Sequence, residues 1–139
     1  MNITPLPRGI RNNNPLNIRV GNSWLGEVKE PTDNVFEQFC HITYGLRAAF
    51  ILLRRYINRY KLNTIEKIIT RWAPSNENNT KSYIAHVAQG MQLDPNTPIR
   101  YEDKITMCRL VYEMAFVENG QRVTMTDIAR GYEMAACQI

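Results

Sequence analysis

The residue whose type and setting best suit chemistry is Glu118. Val111, Ala115 and Glu118 fall along one edge of a predicted helix, at steps of four and three residues. That helix is expected to stop at Asn119-Gly120, because glycine readily takes the left-handed cap conformation. Glu118 then has apolar neighbours and lies at the negative end of a helix dipole. Both effects disfavour the charged form and raise a carboxyl pKa. A carboxylic acid still protonated near neutral pH is what glycosidic cleavage needs at the leaving oxygen. Taken alone, the commoner reading is a solvated glutamate in a last helical turn.

The other carboxylates offer a second group. Glu77 sits in a polar loop between Asn76 and Asn78-Asn79, while Glu27, Glu30, Asp33 and Glu37 cluster nearer the N-terminus. Two carboxylates across a cleft permit a two-acid mechanism, and their separation decides inversion or retention. Glu77 reads at least as well as charge at the start of the helix that follows it. The N-terminal run holds Arg8, Arg11, Asn12, Asn13, Asn14, Asn17 and Arg19. Asn amides both donate and accept, and Arg binds carboxylates with two bonds. Such a set suits sugar hydroxyls, acetamides and peptide carboxylates; it equally suits turn-making and solvation. Trp24, Trp72, Tyr44 and Tyr83 supply flat faces for sugar rings, although aromatics more often belong to the core. His41 and His86 match no metal spacing, and the three cysteines, Cys40, Cys108 and Cys137, form no disulfide framework or zinc pattern. Free, mostly buried thiols from a reducing compartment are expected, with no metal, no cofactor and no nucleophilic cysteine.

Several elements must position these groups. Asn12-Asn13-Asn14-Pro15 and Gly21-Asn22-Ser23 are turn signals. Ile18 to Val20 and Val35 to Phe39 read as short extended runs, hence a small β-hairpin or three-stranded sheet. From Tyr44 the period becomes helical: Leu46, Ala49, Phe50, Leu53, Ile57 and Tyr60 recur at three- and four-residue spacing. A second helix carries Ile65, Ile68 and Ile69 behind an Asn63-Thr64 cap and ends at Pro74. A third runs from a Thr80 cap to a Gly90 stop, with Tyr83, Ile84, Val87 and Ala88 along it. The fourth spans Ile105 to Glu118, and a fifth follows a cap at Thr124 or Thr126. About five helices and one small N-terminal sheet make the expected class α+β, mainly α.

The chain has 139 residues, which fits a single domain over 1–139 able to bury a core unaided. Apolar residues make up 44% and charged residues 22%, so disorder is excluded for most of the length. The net charge of +4 suits an anionic polymer. It is spread out, with Arg54-Arg55 the sole adjacent basic pair, which favours a cell wall over nucleic acid. No stretch reaches the roughly 18 apolar residues of a membrane span. The polar, Pro-containing start is not a Sec signal. Synthesis in the cytoplasm, with delivery by a virion or a lysis partner to the bacterial cell wall, is the expectation.

One resemblance covers roughly residues 8 to 120. The run Arg8-Gly9-Ile10-Arg11-Asn12-Asn13-Asn14-Pro15-Leu16-Asn17-Ile18-Arg19 precedes Trp24-Leu25-Gly26, Phe36-Glu37-Gln38-Phe39 and Gly45-Leu46-Arg47-Ala48. Arg71-Trp72-Ala73-Pro74, Glu77-Asn78-Asn79-Thr80 and Tyr83 follow. This order resembles phage and prophage virion or lysis proteins that look like lysozyme-fold muralytic enzymes. Lytic transglycosylases are a looser likeness. They place a catalytic Glu at a helix end, in a Glu-Ser-Gly-like sequence, ahead of a segment like Asn14 to Arg19. Here Glu118-Asn119-Gly120 comes after that segment, with Asn119 in place of Ser, and a circular permutation reconciles the order. The resemblance implies a lysozyme-like domain that cuts peptidoglycan between N-acetylmuramic acid and N-acetylglucosamine. It implies Glu118 as general acid, with Glu77 the other catalytic candidate. Arg11, Asn12, Asn14, Asn17, Arg19, Trp24, Trp72 and Tyr83 are the expected glycan-binding residues. The rival readings are a non-catalytic virion structural or wall-binding module and a peptidoglycan endopeptidase. A position of Glu118 facing the Asn12 to Arg19 segment across an open groove is the spatial expectation.

Overall fold

The computed structural model describes residues 5–75 and 79–137. Glu77 lies outside them. A one-turn helix, α1 (Arg8–Arg11), opens the described chain, inside a stretch expected to be irregular. It is followed by α2 (Ile42–Arg54), which runs into a π-helical turn at Arg55–Arg59, then α3 (Ile65–Trp72) and α4 (Thr80–Met91). The long α5 (Lys104–Asn119) and the terminal α6 (Met125–Ala136) complete the order.

The caps explain where the helices begin. Thr64 and Thr124 each accept an N–H from the third residue on, satisfying donors that the first helical turn leaves orphaned. Asn79, rather than the expected Thr80, does the same for α4 through Ser82 N–H. His41 caps α2 with its Nδ1. Gly120 closes α5 at φ +72, the expected left-handed stop. Gly90 does not end α4, which continues to Met91 and closes at a left-handed Gln92. A side chain at position 90 would run into the Glu113 carboxyl, so glycine is there for close approach between α4 and α5.

The core lies where α6 packs against α2 and α5, with α4 against α5 and α3 against α4. Phe50, Leu46 and Leu53 of α2 are fully buried, with Leu110 and Met114 of α5 and Ile128 of α6. Phe50 meets Tyr132 edge-on at 5.3 Å between centroids, a favoured aromatic geometry. Ile65, Ile68 and Ile69 bury the inner face of α3, as their spacing predicts. The expectation of mostly buried thiols holds for Cys108 alone: Cys40 and Cys137 are exposed, and all three are free.

The expected α+β class, with its N-terminal β-hairpin or sheet, is overturned. Among the described residues there are six α-helices and no strand. The extended runs touch at two isolated antiparallel bridges, Arg19 with Phe36 and Glu27 with Phe39. Alternating apolar residues do place Ile18 and Phe39 inside. A ladder fails to propagate because side chains take up the backbone groups a partner strand would use. The Asn14 amide donates to the carbonyls of Ile18 and Glu37 and accepts the Ile18 N–H. The Asp33 carboxylate accepts the N–H groups of Val35 and Phe36. Gly21 at φ +146 and Gly26 at φ +86 also break the pleat.

This N-terminal lobe contains two neighbouring carboxyls, Glu27 and Glu37. Glu37 is buried, and burial together with the neighbouring Glu27 carboxyl pushes its pKa up to about 7. A carboxyl whose folded pKa is raised supports the fold below its unfolded pKa and loses that support as pH rises through the folded value. The wild-type melting temperature should therefore fall as pH rises from about 4.5 to about 7. Glu27→Gln should flatten this slope and raise the melting temperature at alkaline pH. Thermal melts by circular dichroism across that range check it; an unchanged slope would show that Glu27 does not load Glu37.

Candidate active site

Glu118 is held in the last turn of α5, and its neighbour Asn119 ties that turn to the N-terminal lobe. The buried Asn119 amide donates to the Pro15 carbonyl at 2.7 Å and to the Ala115 carbonyl at 2.9 Å. The chain from Pro15 onward is thereby laid across the end of α5. Asn17 then adopts φ +53, a left-handed conformation that Asn tolerates better than other side chains. From there its amide donates to Glu118 Oε1 at 2.8 Å. From α4, the Tyr83 hydroxyl donates to Glu118 Oε2 at 3.0 Å. Residues 101 and 35 positions away thus grip the two oxygens of one carboxyl.

Burial pushes the Glu118 pKa up, and the bonds from Asn17 and Tyr83 partly oppose it. The Tyr83 hydroxyl, buried beside the same carboxyl, is itself pushed well above the ordinary tyrosine range. Two cavities meet at Glu118. One, of about 540 Å³, lies along α4 and α5 and is lined by Ser82, Tyr83, His86 and Phe116. The other, about 210 Å³, lies against the N-terminal lobe and is lined by Asn17, Arg19, Phe36 and Trp72. It continues into a third of about 320 Å³, which shares Asn17, Arg19 and Trp72 and adds Tyr56 and Arg71. Trp72 is fixed there by its indole N–H on the Leu16 carbonyl at 3.1 Å.

Glu118 does face the Asn12 to Arg19 segment, but through a direct bond from Asn17 and not across an open groove. Of the residues read as glycan-binding, Asn17, Arg19, Trp72 and Tyr83 gather around Glu118. Asn12 and Asn14 do not. Both are buried, Asn12 between Asp33 and Gln38 and Asn14 among backbone groups of its own lobe. Arg11 lines a separate polar cavity beside Arg8 and Asp33. Trp24 packs against the core, with its indole nitrogen buried and unpartnered. Sequence reasoning missed His86, Phe116, Tyr56 and Arg71. The α4 spacing carried a signal for the first, since His86 follows Tyr83 by one helical step of three. No cluster of three or more potential metal ligands occurs among the described residues, and no described helix is long and apolar enough to cross a membrane.

A helical domain with a buried, doubly held carboxyl between cavities belongs, by sequence, to a family of phage proteins. Protein P5 of Pseudoalteromonas phage PM2 is 39% identical over 136 residues, covering 94% of this chain and 83% of that protein. The chain belongs to the family of that protein P5. No known family profile matches the sequence.

Proposed function

We propose that this phage-family protein cleaves peptidoglycan glycan between N-acetylmuramic acid and N-acetylglucosamine, with Glu118 as the acid. The observation that carries the reading is the Glu118 carboxyl. It is desolvated, oriented through both oxygens and set where two cavities join. A strand lying through both cavities would bring a glycosidic oxygen to the one carboxylate among their described lining residues. Glu118 protonates that oxygen, the bond from the muramyl C1 to it breaks, and an oxocarbenium-like centre develops at C1. The Glu118 carboxylate then takes the proton of the muramyl 6-hydroxyl, whose oxygen closes on C1. The result is a 1,6-anhydro end and a carboxyl restored to its starting state. Hydrolysis would instead place water at C1 and call on a second carboxylate, for which Glu77 is the candidate. The protein would act at the bacterial wall, delivered by a virion or a lysis partner.

Product analysis tests this. Purified peptidoglycan is digested with the wild-type protein and its Glu77→Gln variant, and soluble fragments are weighed by mass spectrometry. Fragments one water lighter than reducing muropeptides, unaffected by Glu77→Gln, are expected. Reducing ends lost in Glu77→Gln would assign the hydrolytic route instead. Cut stem peptides would assign an endopeptidase. Sedimentation with the wall and no soluble fragment at all would leave a non-catalytic wall-binding module.

A further inference from the structure

The cavity between α4 and α5 contains a titratable ring that the cleavage scheme leaves unused. His86 stands on α4 in the same cavity wall as Tyr83 and Glu118. Its Nε2 lies 3.1 Å from Glu113 Oε1. A carboxylate only accepts, so Nε2 carries the proton of this bond. Glu113 is itself buried in the middle of α5 and takes a second bond on the same oxygen, from Arg122 at 2.9 Å. The imidazole is stacked on Phe116 at 5.2 Å with the planes 15° apart, and the Arg122 guanidinium lies 4.3 Å over the same ring. Gly90 leaves the room that the Glu113 carboxyl occupies. Four residues from three places in the chain therefore fix one partly exposed ring. Nδ1, the remaining nitrogen, has no partner among the described residues.

We propose that His86 is a sugar-binding, specificity-determining residue, with Glu113 its positioning residue. On this assignment Nδ1 hydrogen-bonds an amide or hydroxyl of the glycan ring next to the scissile bond, on the α4–α5 side of Glu118. It rests on the glycan reading of the groove. The fixed ring matters because a donor or acceptor already oriented loses little freedom when substrate arrives. Glu113 makes no substrate contact; it sets the tautomer and the plane of the ring, as buried carboxylates do for histidines elsewhere.

The test uses a stem-free tetrasaccharide of alternating N-acetylglucosamine and N-acetylmuramic acid, titrated into Glu118→Gln protein so that it stays uncut. His86→Ala added to that background should weaken binding by about five- to tenfold, the worth of a lost hydrogen bond. Glu113→Gln should weaken it less and shift the histidine tautomer balance. In ¹⁵N spectra of the imidazole, saturating sugar should move the Nδ1 resonance and spare Nε2. Equal binding with and without His86 in folded protein, or an unmoved Nδ1, overturns this inference and leaves the glycan reading standing. Failure of the Glu118→Gln protein to bind the tetrasaccharide at all overturns both.

Discussion

Glu118→Gln is expected to lower release of soluble muropeptides by about 10²–10⁴-fold, the usual contribution of a positioned general acid. It should do so without unfolding the protein. Gln keeps an oxygen to accept from Tyr83 or Asn17, and it removes a carboxyl whose charged form burial disfavours. The raised folded pKa means that Glu118 supports the fold at low pH and loses that support as pH rises through the raised value. The variant should therefore melt at or above the wild-type temperature, with its advantage largest on the alkaline side. Wild-type activity should decline over that same limb, as the acid loses its proton. Muropeptide release read beside thermal melts at acidic and alkaline pH separates the two effects. A folded Glu118→Gln protein that clears wall material as fast as wild type would remove Glu118 from the chemistry.

Helix positions were legible because they rest on local signals. The Ile65, Ile68 and Ile69 spacing, the Thr64 and Thr124 caps and the Gly120 stop each depend on neighbours within one or two turns. The place of Glu118 on an apolar helix edge was legible for the same reason, while its choice as the acid came from the resemblance. The sheet was misread because alternation reports which side chains face inward and is silent on what satisfies the backbone between them. Ile18 and Phe39 are buried as alternation predicts, yet Asn14 and Asp33 occupy the hydrogen bonds that a ladder requires. Spacing from Tyr83 put His86 on the same face of α4, but its fixed setting was illegible because it comes from Glu113 and Arg122, 27 residues and more away in sequence. The Asn run divides by backbone conformation. Asn13 and Asn17 are left-handed, so their φ angles serve the turns, and Asn17 has its amide free for Glu118. Asn12 and Asn14 are interior joints of the lobe.

Asn14→Asp should be the most damaging single-atom exchange in that lobe. The Asn14 amide nitrogen donates to Ile18 O at 2.9 Å and to Glu37 O at 3.0 Å, while its oxygen accepts the Ile18 N–H at 3.0 Å. The side chain is fully buried. An aspartate keeps the acceptor and turns the double donor into a second acceptor, set against two carbonyl oxygens with no water to intervene. Leaving those groups unsatisfied beside a buried charge should destabilise the protein by about 3–5 kcal/mol. For a chain of this size that is a fall in melting temperature of roughly 10–15 °C. The introduced carboxyl would have its pKa raised by burial and by the facing carbonyls, so the loss should be smallest at acidic pH, where its proton restores one donated bond. The damage should also reach the acid. Asn14 O accepts the Asn17 N–H at 3.0 Å, so loosening position 14 loosens the residue that donates to Glu118 Oε1. Without that donor the Glu118 pKa rises further. In the fraction that stays folded, the alkaline limb of the pH–activity profile should therefore move to higher pH as total activity falls. An Asn14→Asp protein that melts like wild type would show that the lobe is held by its apolar contacts and not by this amide. One that melts early yet keeps its pH profile would break the link from Asn14 through Asn17 to Glu118.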